Sequence, residues 1–393
     1  MGEKTIMKIA LLRRVYDSDG GGAERVAANF TREFLRLGHS VTVFSEKFKA
    51  QKNASPDWNP VVPGYIPSFS KTLSFHRAVQ KELKKHAFDI VYSMCRTFPA
   101  DVFRVTEQLH SEWMPIGYSK LALLNPRHRS LLKLEKQIFT GNKVRRIVTN
   151  SELVKRQIIS RYGFEEHRVS VIRNGVDRTV FYPPDGKNEK LALRKKLGIS
   201  TERLVLLFVA GNFRIKGLEQ SIRVISGIEK RIRDNILLMV IGGGNSAPYA
   251  KLAEDLSLSG NISFAGSRKN MRDYYAASDL LFYPSLYEPF ANVCLEACAS
   301  ALPVLTTELN GSSELVENRK NGYLVKNADR IDEMRSAVTD FAGLSEAVRA
   351  DFSKAAYEAS IPYEWEKHAG ELEKLFKKII MEKESNGNKD KRT

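Results

Sequence analysis

The sequence predicts an α/β protein built from two doubly wound, parallel-sheet domains. Two observations carry this expectation. An apolar strand, a short glycine-bearing loop, an amphipathic helix and a second apolar strand follow one another near residue 8, and the same succession returns near residue 203. A chain of 393 residues also exceeds what one hydrophobic core ordinarily organises.

The elements follow in order. KIALLRR (8–14) reads as a strand and DSDGGG as its exit loop. AERVAANFTREFLRLG is an amphipathic helix opening at about Ala23, and HSVTVFSE is the second strand. The first half continues with strands near 89–93, 144–150 and 169–173, and helices near 75–86, 120–139 and 151–161. RNGVDRTVFYPPDGKNEK, rich in Gly, Pro and charge, reads as the hinge. Beyond it, RLVLLFVAG is a strand, NFRIKG a loop, LEQSIRVISGIEKRI a helix and NILLMVIGGG a strand. Further strands are expected at ISFAG (262–266), LLFYP (280–284), PVLTT (303–307) and GYLV (322–325). IPYEWEKHAGELEKLFKKII is a final amphipathic helix after a proline break, and the polar tail ESNGNKDKRT is expected to be disordered. The expected domains are 1–174 with the terminal helix 366–393, and 175–365.

Composition narrows the class. No segment approaches the ~18 apolar residues of a membrane span, and the apolar run in MGEKTIMKIALLRR is too short and too charged for a signal peptide. Three cysteines without a CxxC pattern fit a reduced, cytoplasmic compartment, with Cys294 and Cys298 spaced for core packing on one helix face. The net charge is +16, and it is uneven. Residues 1–174 hold 30 Lys+Arg against 16 Asp+Glu, and residues 175–393 hold 32 against 30. The basic first half implies an anionic partner: a nucleic acid, a phospholipid surface or an acidic substrate.

In open α/β sheets ligands bind at the carboxyl ends of strands, beside helix N-termini, and the polar motifs fall at such places. GNFRIKG (211–217) puts Arg214 and Lys216 between a strand and a helix start, an arrangement suited to a diphosphate, although the Walker A spacing is absent. DSDGGGAER (17–25) lets the backbone approach an anion or a sugar through Gly21 and Gly22. It is not GxGxxG, and Asp17 and Asp19 read as turn residues rather than metal ligands. In EPFANVCLE, Glu288 sits in the exit loop of a strand; the amides of Phe290, Ala291 and Asn292 open a helix, and Glu296 lies about one turn further in. Two carboxylates at two depths suit a polyhydroxylated ligand.

EPFANVCLE resembles the E-x7-E element of retaining GT-B glycosyltransferases of family GT4. The GGAER loop, NGVD, NFRIKG, VIGGG and GSRKNMRDYYAASDLLFYPS stand at the family's intervals over nearly the whole chain. Among GT4 members the chain most resembles lipopolysaccharide core glucosyltransferases of the heptose-glucosylating type. The resemblance implies two Rossmann-like domains facing across a cleft and a nucleoside-diphosphate sugar donor, most simply a UDP-sugar. It implies a lipid-linked or lipopolysaccharide acceptor, and neither metal nor cofactor. Glu288 would hold sugar hydroxyls, Glu296 the ribose, and Arg214 with Lys216 the diphosphate. Gly21 and Gly22 would close on the phosphates, and Ser267, Arg268 and Asn270 would meet the base. Ala291 stands where many members carry glycine. The histidine that contacts the reacting sugar is matched by His110, with Glu107 as its rival. The enzyme is expected at the inner face of the cytoplasmic membrane, held peripherally by anionic lipid. A sugar-nucleotide epimerase, a phosphorylase and a non-catalytic nucleotide-sugar binder share the fold. A nucleic-acid partner would need aromatics interleaved with the basic residues, and that pattern is missing.

Overall fold

The computed structural model of the chain describes residues 6–50, 55–64 and 70–390, with backbone alone for 386–390. It divides into two compact units, residues 1–175 with 363–393, and residues 176–362.

Unit 1 holds β1 (Lys8–Leu12), β2 (Val15–Asp17), β3 (Ser40–Ser45), β4 (Lys47–Lys49), β5 (Asp57–Pro60), β6 (Ile90–Ser93), β7 (Ala100–Arg104), β8 (Val144–Thr149) and β9 (Val169–Val171). Seven of these form a parallel sheet in the order β5-β3-β1-β6-β7-β8-β9, and β2 pairs with β4 in a small parallel ribbon. Unit 2 holds β10 (Leu204–Val209), β11 (Ile236–Ile241), β12 (Ile262–Gly266), β13 (Leu280–Tyr283), β14 (Val304–Thr307) and β15 (Gly322–Val325), ordered β12-β11-β10-β13-β14-β15. Each order winds outward from its first strand in both directions, the doubly wound pattern of a Rossmann-like domain. The central strands LVLLFV and ILLMVI are apolar throughout because helices cover both faces of a parallel sheet.

In unit 1 the last helix, Trp365–Asp390, completes the core. Trp365, Ala369, Leu372, Phe376 and Ile379 recur at helical spacing and are all buried against Phe30, Phe34 and Tyr92. Trp365 therefore belongs with unit 1, and the backbone of the tail stays helical through Asp390, where disorder was expected. Residues 391–393 of that tail lie outside the described residues. All seven histidines and all three tryptophans of the chain belong to unit 1.

Two further expectations are corrected. The helix expected over 120–139 breaks at Asn125–Pro126 into a 3-10 turn, Lys120–Leu124, and a helix, Pro126–Thr140, because the proline has no N–H to continue the first. The helix expected over LEQSIRVISGIEKRI ends at Ser226, and a separate four-residue helix follows over Lys230–Arg233. Four strands were not anticipated from the sequence: the short β2, β4 and β5, and β7. β7 reads ADVFR, yet every residue is buried. Asp101 accepts hydrogen bonds from the Val91 amide at 2.8 Å and from Lys383 at 2.7 Å, and Arg104 donates to Asn174 at 2.7 Å. Charged side chains with partners of this kind can occupy a core strand.

Candidate functional site

In unit 2 the strand order reverses between β10 and β13, which is where an open sheet leaves a crevice at its carboxyl edge. The loops leaving these two strands carry GNFRIKG and SLYEPFAN. They are tied together, since the Leu286 amide donates to the Ile215 carbonyl at 2.9 Å. Gly217 makes the approach possible. Its φ is +83°, and a Cβ there would lie 2.1 Å from the Pro284 carbonyl oxygen. At the neighbouring strand end, Gly242 has φ +145° and passes against the Ala210 carbonyl, where a Cβ would lie at 1.7 Å.

This crowding brings Lys216 onto Glu288 as an ion pair, with both side chains mostly buried. Burial lowers the Lys216 ammonium to about 8, and the adjoining carboxylate favours its charged form. The ammonium also lies 6.0 Å from the centroid of the Tyr283 ring. Arg214, two residues earlier, is exposed on the same loop.

The backbone of Glu288 is clamped. Its amide donates to the Leu309 carbonyl at 2.9 Å, and its carbonyl accepts from Gly311 at 2.8 Å. Asn310, fully buried between them, holds the start of the helix Asn292–Ala299. Its Oδ1 accepts from the Ala291 amide at 3.3 Å and from the Ser312 amide at 3.0 Å, and its Nδ2 donates to Thr306 Oγ1 at 3.0 Å. Ser312 Oγ closes the loop by donating to the Ala291 carbonyl at 2.9 Å. Ala291 has φ −84°, so glycine is not needed there. Glu296 lies in the second turn of that helix, buried, and accepts from the Tyr275 hydroxyl at 2.9 Å. Ser267, Arg268 and Asn270 are exposed in the segment leaving β12, where Arg268 Nε donates to the Tyr274 hydroxyl at 2.9 Å.

The structure thus gathers Arg214, Lys216, Glu288, Phe290, Ala291, Asn292 and Glu296 on the loops and the helix that follow β10 and β13. The supporting residues Asn310, Thr306, Ser312 and Tyr275 were not singled out from sequence. A signal existed, because TELNGSSEL follows an apolar strand with a run of small polar residues that has no surface pattern.

Unit 1 carries the other expected residues at the carboxyl side of its own sheet. Gly21 caps the helix Gly22–Arg36, which begins one residue before Ala23. The loop is anchored by Glu24, which pairs at 2.9 Å with the buried Arg13. Asp17 and Asp19 both reach Lys49, at 3.9 and 3.0 Å, and Asp17 Oδ1 accepts from the Asp19 amide, as turn residues do. Among the described residues no group of three His, Cys, Asp or Glu side chains could hold a metal ion.

Glu107 follows β7 and is paired with Arg96. His110 begins the helix His110–Gly117 and is buried. The amides of His110 and Ser111 donate to the two oxygens of Glu135, at 2.5 and 3.0 Å, which places a carboxylate at the helix start. The His110 ring shares a hydrogen bond of 2.9 Å with His128. Burial, aided by the charge of Arg96, lowers His110 to about 4, so its ring is neutral at pH 7.

Two doubly wound units, the second with a lysine–carboxylate pair on the loops at its switch point, are the architecture of GT-B glycosyltransferases. The family profiles agree half by half: "Glycosyltransferase Family 4" matches residues 20–180, and "Glycosyl transferases group 1" matches residues 189–359. The chain belongs to these group 1, family-4-like GT-B glycosyltransferases. It is 25% identical over 305 residues to the lipopolysaccharide glucosyltransferase WaaG of Escherichia coli K12, covering 78% of this chain and 82% of that protein. In fold it resembles the crystal structure of WaaG, with a TM-score of 0.83 at 21% identity over 94% of this chain and 99% of that one. It also resembles Anabaena HepE in complex with UDP and glucose, with a TM-score of 0.72 at 19% identity over 95% and 100% of the two chains.

Proposed function

We propose that the protein transfers a hexose from a nucleoside-diphosphate sugar, a UDP-sugar in the simplest case, to a lipopolysaccharide core or related lipid-linked saccharide, with retention of anomeric configuration. The observation that carries this reading is the meeting of Lys216 and Glu288 at the switch point of unit 2. Lys216, with Arg214 beside it, stabilises the charge that grows on the departing diphosphate. That electrostatic contribution is the main catalytic one in a dissociative step. Glu288 accepts hydrogen bonds from sugar hydroxyls and Glu296 from the ribose, while Ser267, Arg268 and Asn270 meet the base. WaaG acts on lipopolysaccharide and HepE binds UDP and glucose, which favours a glucosyl donor here.

The acceptor side is supported by charge and by a surface patch. Ile116, Tyr118, Leu121, Leu123 and Leu124 are exposed within nine residues, Leu121 and Leu124 at 74% each. Exposed Lys120, Arg127, Arg129 and Lys133 accompany them. Apolar side chains among cations suit the interface of an anionic membrane, and among the described residues no helix is long and apolar enough to cross one. We place the enzyme peripherally at the cytoplasmic face, where lipid-linked acceptors and nucleotide sugars meet.

The test is to incubate the purified chain with UDP-glucose and core lipopolysaccharide and to read the new linkage by NMR. An α-linked product supports the proposal. A β-linked product overturns retention, and sugar interconversion without any acceptor makes the protein an epimerase.

A further inference from the structure

The edge of unit 1 carries an aromatic ladder outside the donor crevice. Tyr16 on β2, Phe48 on β4 and Trp58 on β5 stack in series, with centroids 5.2 and 5.3 Å apart and planes inclined by 18° and 10°. Tyr16, at the inner end, is 3% exposed, whereas Trp58, at the outer end, is 47% exposed. The indole is fixed along its edge as well, since Nε1 donates to Ser45 Oγ at 3.0 Å. Trp113 and Trp365, by contrast, are each only 6% exposed. A large flat ring that is held rigid yet left open has already lost its conformational freedom, so a ligand stacking on it loses little more.

The surroundings show which ligand fits. Glu46 follows Ser45, Arg14 lies 4.0 Å from its carboxylate, and Lys47 and Lys71 act on the same group. Lys47 and Lys71 are exposed and Arg14 is half-buried, and together these three cations outnumber Glu46. Lys49 is turned to Asp19 and Asp17. Arg14 and Glu46 leave the carboxyl ends of β1 and β3, on the ligand side of an open sheet, and β2 leads from the ladder into the Gly20–Gly22 loop. A pyranose offers an aromatic face its axial C–H groups and turns its hydroxyls outward. A phosphate on the same ligand would meet the cations.

We propose that Trp58 is a stacking platform for a sugar ring of a phosphorylated saccharide, with Arg14, Lys47 and Lys71 receiving its phosphate. This rests on the glycosyltransferase reading above and gives it a seat for the acceptor. The test uses the full chain and a deacylated, phosphorylated lipopolysaccharide core oligosaccharide, with calorimetry and Trp58 emission as readouts. Trp58→Ala is expected to weaken oligosaccharide binding at least tenfold and Trp58→Phe by no more than about threefold, with UDP affinity unchanged in both. The dephosphorylated oligosaccharide should bind the wild type more weakly, and should bind the Lys47→Ser/Lys71→Ser variant as it binds the wild type. Inorganic phosphate alone should leave Trp58 emission where it is. Wild-type affinity in Trp58→Ala, or emission unmoved by saturating oligosaccharide, overturns the platform while leaving the donor site intact. Failure of the wild-type chain to bind UDP, measured in the same series, overturns the donor reading instead.

Discussion

At residue scale, the ion pair of Lys216 and Glu288 sets the expectations. Lys216→Ala removes a charge-assisted contact worth about 1.5–3 kcal/mol, so turnover should fall roughly tenfold to a hundredfold. The loss should appear in kcat, because leaving-group charge grows in the transition state. On the proposed reading, Glu288 already engages the ammonium that the diphosphate would take. Glu288→Gln should therefore lower turnover while tightening free UDP about threefold to tenfold, and Glu296→Gln should weaken free UDP. Calorimetry on the two variants separates the roles, and equal weakening by both would refute the division. The depressed ammonium has its own signature. As pH rises through about 8, Lys216 loses its proton and UDP affinity should decline; Lys216→Arg, which stays charged, should abolish that limb. His110 was singled out from the sequence but its surroundings could not be, because nothing in VTEQLHSEWM announces that Glu135 and His128, 25 and 18 residues away, close around it. If His110 contacts the reacting sugar, His110→Ala should lower kcat and spare UDP affinity; full activity restored by cooling would mark it as a packing residue.

At the scale of elements, strand ends and loops decide the site. Gly217→Ala places a Cβ on the Pro284 carbonyl in a left-handed conformation that alone costs about 1–3 kcal/mol. Urea unfolding should register the loss, and donor binding should suffer with it as the two loops part. Asn310→Leu strands the Ala291 and Ser312 amides, at about 1–3 kcal/mol for each unpaired buried group. Donor KM should rise well beyond the effect on global stability, and unchanged KM would show that the clamp does not position Glu288. These elements were unequally visible in the sequence. Both βαβ openings could be read because buried parallel strands are continuous apolar runs and their helices keep a regular stripe. β7 could not, since Asp101 and Arg104 interrupt the run and are satisfied only by residues far along the chain. Lys216 and Glu288 were readable from motif spacing. Asn310 was not, because a buried amide is recognised by its partners and those appear only in the fold.

At the scale of the whole molecule, charge and exposed leucines should act together. Binding to anionic vesicles should fade as salt rises, whereas neutral vesicles should bind weakly at any salt. Leu121→Asp/Leu124→Asp should reduce the anionic binding at low salt without changing UDP affinity. Equal partitioning to both vesicle types would assign the basic surface to the saccharide alone.

The uneven placement of histidines has a consequence for how the molecule comes apart. His368 is buried against the Arg173 carbonyl, and burial lowers it to about 3. In the unfolded chain it takes up a proton near 6.5, so its stabilising effect is complete above that pH and is lost progressively as pH falls toward 3. By pH 4.5 the loss is about 2–3 kcal/mol, and His110 adds to it in the same direction. Unit 2 has no histidine to follow this course. Its hydrogen-bonded Glu189 is held down to about 2 by Arg272, so that contribution fades only below about pH 4.5. A mild acid titration should therefore melt the chain in sequence, unit 1 ahead of unit 2. Because every tryptophan lies in unit 1, indole emission should shift at a pH where circular dichroism still reports about half of the helix, and a single coincident transition would show that the two units unfold as one.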